Sequence, residues 1–301
     1  ERDNADVEVT LVGNDDELRL KLSKDGGMHY DVIAANTSEI NHFVQQQLLQ
    51  PLRLENLPRR GGQLQQFRQL NNIPGLMHEG QHYGIPYVYG EMGLIYNRKM
   101  MSRPPSSISS LWDPQWQGQV LAYDGSSHSF SLARQALDKP PFAIPNEEMP
   151  AAIEKLIELR RNVLSFYSLP EESVSLFTQN PVALMYANYG RQQLKLLQDA
   201  GADVGYVIPR EGAFAWLDCW AITRTTPNRE LAEQWINYSL EPQVSGALTE
   251  RQGLENTLRD PQTANARMHL IWLEPVTNAE LRAKLWQSIL AGERPENLVQ
   301  P

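Results

Sequence analysis

Two long apolar stretches restrict this chain to a narrow set of folds. Residues 83–97 (YGIPYVYGEMGLIYN) and 205–222 (GYVIPREGAFAWLDCWAI) both read as extended chain, and the sequence between them is long enough for a complete α/β unit. That arrangement predicts one domain inserted in another, with the chain passing between them twice. The second stretch carries a single acid, Asp218, between Trp216 and Trp220. A strand covered on both faces is normally apolar throughout, so this carboxylate has to be satisfied by something. Trp216 and Asp218 are two residues apart and share a face of the strand. An indole and a carboxylate side by side suit an organic ammonium group, through cation–π attraction and a charge-assisted hydrogen bond. An aspartate hydrogen-bonded to a neighbouring loop or helix N-terminus fits the same residues equally well.

Length and charge narrow the function further. The 301 residues allow two domains of ordinary size, and 41% hydrophobic with 21% charged residues is a globular composition. The longest apolar runs fall well short of the ~20 residues a bilayer span needs. The net charge is −9 with Lys and Arg dispersed, which argues against a nucleic-acid surface and tolerates a cationic ligand. One cysteine, Cys219, excludes an intrachain disulfide and a cysteine-based metal cluster, and it points to the face opposite Asp218 as an inert thiol. The sequence starts at Glu1 without an initiator Met or a leader-like apolar run, so location is not legible from its first residues.

Taken in order, residues 6–12 (DVEVTLV) alternate as a strand, and the turn at 13–16 caps a short helix over 17–22. Residues 30–35 read as a buried parallel strand, followed by a helix over about 39–49. Residues 51–75 form a polar loop with a short helix. Gly90 and Gly93 interrupt the first long stretch and predict bulges, hinges or close backbone approach. A strand at 120–123 leads through Asp124, Gly125, Ser126, Ser127 and His128 into a helix over about 129–137. Such a turn offers N–H groups and hydroxyls to an anion or polar ligand, and simple helix capping accounts for it equally well. Helices over 147–164, 171–179 and 190–199 and strands at 182–186 and 204–208 complete the inserted unit. From residue 229 onward the pattern is helical, over 230–240, 242–249 and 279–290.

Four segments in this order, IPYVYGEMGLIYN, SSLWDPQWQGQV, EGAFAWLDCWAI and LAEQWINYSLEPQV, resemble the extracellular solute-binding proteins of bacterial ABC importers, in the spermidine/putrescine-binding branch. The resemblance covers nearly the whole chain. It implies a two-lobe, periplasmic-binding-protein-like α/β fold of type II with two crossover strands, near 90–94 and 211–218. Lobe I would be 1–89 plus 217–301 and lobe II 90–216, with Gly90, Gly93 and Gly212 as hinge positions. It further implies a periplasmic monomer that closes on a small amine, docks on an importer permease, and uses neither cofactor nor metal. Trp216 and Asp218 match the family's Trp-x-Asp pair. Tyr186 falls at an aromatic position of the inserted lobe, and Asn36 where a ligand-contacting Ser or Thr is usual. Leu254, Trp272 and Glu274 stand at or near further contact positions. Asp124 is the one acid in a turn where the family often presents several. Glu91, at the first crossover, is then expected to replace the lost acid. If Ser126 and His128 instead receive an anionic group, the ligand becomes a zwitterion such as an ω-amino acid. The first strand and helix of the family have no counterpart before residue 6, which leads us to expect that the sequence is a fragment.

Other classes have weaker support. The six histidines lie in separate segments without HxxxH or HExxH spacing, and no phosphate-cradling glycine motif occurs, so an enzyme is not expected. Tyr186 and Tyr189 resemble the tyrosine ligands of ferric-binding relatives, without an identifiable histidine and acid to complete the set. A sensor built on the same two-lobe body has the same lobe sequence pattern as a transport protein.

Overall fold

The computed structural model describes residues 6–27, 29–259, 269–293 and Leu298. The chain folds around one strand that belongs to two cores. Ile85–Asn97, here β2, runs unbroken for 13 residues because its alternation stays apolar on both faces and its two glycines keep the extended conformation. Its first half pairs antiparallel with Ala213–Thr223 (β7), with Trp216 opposite Gly90 and Asp218 opposite Val88. The register slips by one residue between Asp218 and Cys219. On its other edge β7 pairs antiparallel with Val32–Asn36 (β1), which sets Asn36 directly opposite Asp218. The second half of β2 pairs antiparallel with Leu184–Ala187 (β5) and Val204–Val207 (β6). Beyond β5 lie Val120–Tyr123 (β3) and Val163–Tyr167 (β4), both parallel, as βαβ crossovers require. All these strands join one curled hydrogen-bonded sheet.

Each half of the sheet carries its own helices. Asp15–Ser23 (α1), Thr37–Gln45 (α2) and Arg229–Ser239 (α7) supply Leu18, Leu22, Ile40, Phe43, Ala232 and Ile236 to a first core with Ile85, Leu217, Cys219 and Ile222. Ser126–Ala136 (α3), Met149–Asn162 (α4), Pro170–Gln179 (α5) and Arg191–Asp199 (α6) cover the second sheet half, where Phe130, Leu156, Phe177 and Leu197 pack on Ile95, Leu121 and Met185. Pro242–Gln252 (α8) closes on Gly253, whose φ of 72° allows the left-handed helix end.

Four expectations need correction. The strand expected to be parallel over residues 30–35 is Val32–Asn36, which pairs antiparallel with β7. Residues 6–12 form no ladder, and Val7, Val9 and Leu11 are 55%, 70% and 79% exposed. An alternating pattern sets a strand's faces but not its partner, and none of the described strands pairs with this one. Residues 163–167 leave the helix expected over 147–164 and become β4, since Phe166 and Tyr167 find partners at Ala122 and Tyr123. Ala279–Leu290 (α9), expected with the first lobe, packs on α3 and α4, with Leu285, Trp286 and Ile289 in the second core.

Gly90 marks the passage between the two cores. A Cβ there would stand 2.6 Å from Cζ2 of Trp216, so the indole lies flat against bare backbone. The replacement Gly90→Val should therefore cost about 1–3 kcal/mol in urea unfolding. A loss under about 0.5 kcal/mol would mean that the ring slides aside freely.

Candidate functional site

The site lies where the N-terminus of α1 enters between the two cores. Asn14 caps α1 by accepting from the Glu17 amide at 2.9 Å, and Asp15, Asp16 and Glu17 fill the first turn, where the helix dipole favours acids. The capping turn faces the second lobe. Tyr123 and Tyr189 both donate their hydroxyls to the Gly13 carbonyl, at 3.3 and 3.4 Å, and Tyr189 also donates to the Ser168 carbonyl at 2.6 Å. Their rings meet edge to face at 5.9 Å.

Five carboxylates gather around this turn. Asp218 shares a β7 face with Trp216 and Trp220, while Leu217, Cys219 and Ala221 enter the first core. Its side chain has no hydrogen-bond or ion-pair partner among the described residues. Burial, followed by the nearby Asp15 charge, pushes its carboxyl up to about 7. Asp15 accepts from Asn36 Nδ2 at 3.2 and 3.1 Å and stands 3.7 Å from His128 Nε2. Asn36 is fixed in turn, because its Oδ1 caps α2 by accepting from the Ser38 and Glu39 amides. Asp16 accepts from Ser126 Oγ at 3.0 Å and from the Ser126 amide at 3.4 Å. Glu39, 1% exposed, is held by Arg19 and is still pushed up to about 8, by burial and then by Asp15. Asp124 accepts from Trp286 Nε1 at 2.7 Å, and burial raises its carboxyl as well.

Positive charge is scarce by comparison. Arg19 pairs with Glu39 and approaches Asp16 at 3.5 Å. His128 packs on Tyr123, and burial lowers its pKa, so the ring stays neutral near pH 7. Tyr87 stacks on Trp220 at 4.3 Å and its hydroxyl feels the Asp218 charge, which completes an aromatic wall beside the acid. The arrangement is an acidic recess with aromatic sides, suited to an organic cation.

The sequence-predicted residues divide accordingly. Asp218, Asn36, Asp124, Ser126 and His128 come together around the α1 turn. Trp216 is adjacent, 7% exposed, with its indole N–H donated to the Asn188 carbonyl at 2.9 Å. Glu91 does not join them. It lies opposite Ala215, so it points to the face away from Trp216, and Arg191 holds its carboxylate at 2.9 Å. Tyr186 is a core residue whose hydroxyl donates to Met92 Sδ at 3.2 Å, while Tyr189, three residues on, reaches the recess. Tyr186 and Tyr189 therefore do not converge on one ligand, and no group of three His, Cys, Asp or Glu side chains suited to a metal occurs among the described residues. Sequence reasoning missed Asp15, Asp16, Arg19, Glu39, Tyr87 and Tyr123. Three consecutive acids after Asn14 exceed what a single cap requires, and that surplus was the available signal.

Raised carboxyl pKa values have a definite consequence for stability. Asp218 and Glu39 bind protons more tightly in the folded than in the unfolded chain, so their contribution is complete below about pH 4. It is lost as pH rises through about 7 for Asp218 and about 8 for Glu39. The melting temperature of the free protein should fall between pH 6 and 9, and Asp218→Asn should be the more stable form at pH 8.5 while matching the parent at pH 4. A parent melting temperature flat across that range would contradict the assignment.

Known proteins share this architecture. The profile described as bacterial extracellular solute-binding protein matches residues 1–259. The spermidine/putrescine-binding periplasmic protein of Escherichia coli is 25% identical over 283 residues, covering 90% of this chain and 75% of the relative. The norspermidine sensor of Vibrio cholerae is 22% identical over 235 residues, covering 77% and 62%. Among solved structures, the spermidine/putrescine ABC transporter substrate-binding protein PotD of Streptococcus pneumoniae superposes with a TM-score of 0.69 at 21% identity, over 95% of this chain and 89% of that one. Among the described residues, no helix is long and apolar enough to cross a membrane.

Proposed function

The chain belongs to the bacterial extracellular solute-binding proteins, and from that premise we propose that its interlobe recess captures a small organic amine of the polyamine class for delivery to an ABC importer. One observation carries the ligand: Asp218 is half-buried at the seam of the lobes, beside Asp15 and an aromatic wall, without a counter-charge among the described residues. An ammonium group placed between Asp15 and Asp218 relieves the repulsion that raises the Asp218 pKa, and its alkyl chain packs on Tyr87 and Trp220. The roles in the names of two relatives, spermidine/putrescine binding and norspermidine sensing, support the same ligand chemistry. Delivery is supported by the name of the Streptococcus pneumoniae protein, an ABC transporter substrate-binding protein.

A zwitterionic ω-amino acid has less support. Its carboxylate would need the Ser126 amide and hydroxyl at the N-terminus of α3, and Asp16 already fills that place. Closure follows from the fold. The passage of β2 and β7 between the cores leaves two strands to bend, and a ligand that bridges the α1 turn and β7 favours the closed arrangement by its differential contacts. Binding and closure require no bond to form or break.

Calorimetric titration with putrescine tests the reading. Binding should weaken roughly 10–100-fold in Asp218→Asn, the worth of one charge-assisted hydrogen bond. Near pH 7 the ammonium should displace the proton from Asp218, so the heat should vary with the buffer's ionisation enthalpy in the sense of proton release. Affinity should fall by up to about tenfold per pH unit below that range. Unchanged affinity in Asp218→Asn, or no binding of any amine by the parent, would overturn the proposal.

A further inference from the structure

Arg19 stands within the acidic recess in the manner of a bound cation. Its Nε donates to Glu39 Oε2 at 2.6 Å and its Nη2 to Glu39 Oε1, while Nη2 lies 3.5 Å from Ser127 Oγ and Nη1 3.5 Å from Asp16 Oδ1. Glu39 belongs to α2 of the first lobe and Ser127 to α3 of the second, so one guanidinium touches both sides of the seam. The side chain is 13% exposed. α1 is also anchored to the first core through Leu18 and Leu22, and α2 is capped by Asn36.

Asp15 stands near both Glu39 and Asp218, since its charge raises both carboxyls, while the Arg19 guanidinium binds Glu39 and approaches Asp16. Asp218 has no such partner among the described residues. A first ammonium group therefore meets Asp218 without a competitor, whereas a second that turns toward Glu39 or Asp16 meets an acid that Arg19 already holds.

We propose that Arg19 is a built-in competitor for the second ammonium position and thereby limits the affinity a polyamine gains from its second ammonium group. This rests on the amine-binding reading above. A buried carboxylate satisfied by an internal guanidinium can be satisfied equally by an ammonium from outside, but the internal partner is tethered and present at high effective concentration. Displacing it costs the ligand the energy its second ammonium would otherwise contribute. Removing it should therefore improve multivalent amines selectively.

The experiment is a calorimetric comparison of n-butylamine, putrescine and spermidine on the parent, Arg19→Ala and Arg19→Gln, at pH 8.5, where Glu39 is largely ionised in the parent. The spermidine-to-butylamine affinity ratio should rise about tenfold or more in both variants, the worth of one added ammonium–carboxylate contact. Arg19→Gln keeps a hydrogen-bonding partner for Glu39 and provides the test if Arg19→Ala does not fold. The double variant Arg19→Gln/Glu39→Gln, which removes the acid as well, should return the ratio to the parent's value. An unchanged or lower ratio in Arg19→Gln would overturn the role of Arg19 while leaving amine binding standing. A parent that binds none of the three amines would overturn both.

Discussion

The rest of the structure turns on a carboxylate that has lost part of its water without gaining a counter-ion. Asp218 sits on the strand where the two cores meet, and among the described residues neither core offers it a lysine or arginine. A group in that position can be tolerated in two ways, by holding a proton or by meeting a cation from outside. Its carboxyl pKa of about 7 places the molecule between them. Small changes in its surroundings then decide which state prevails.

The surrounding framework keeps that balance from collapsing. β2 and β1 pair with β7 on either side, which fixes the backbone of Asp218 opposite Val88 and Asn36. Gly90 lets Trp216 lie against the crossover, and the indole N–H is tied to Asn188 on the second lobe. From the other side α1 brings Asp15 and Asp16 to the seam, with the Gly13 carbonyl gripped by two tyrosine hydroxyls. The acids thus reach the recess from four separate segments: α1, α2, β7 and the turn between β3 and α3.

Much of the architecture was legible because it rests on local patterns. The unbroken apolar alternation of residues 85–97 and 213–223 disclosed both crossovers, and the Asp between two tryptophans pointed to the candidate site. What stayed hidden depends on register and on packing between distant segments. Glu91 and Gly90 are neighbours in sequence, yet only the pairing of Ala215 with Glu91 shows that the acid faces away from the recess. Tyr186 and Tyr189 are equally plausible from composition, and the end of β5 separates them. Asp15 and Asp16 looked like helix-capping residues because the first turn of a helix favours acids wherever it points. Arg19 and Glu39 are 20 residues apart and meet only after α1 and α2 pack on the same core. The last helix followed its apolar residues to the second lobe, a choice that sequence order does not reveal.

The most direct test is to titrate the Asp218 side-chain carboxyl by carbon-13 NMR, in the free protein and with a saturating diamine. The account predicts a midpoint near 7 in the free protein. With the amine present, the midpoint should move down by at least one pH unit, because a neighbouring ammonium favours the ionised form. An ordinary aspartate midpoint near 4 in the free protein, or a midpoint that the diamine leaves in place, would contradict it.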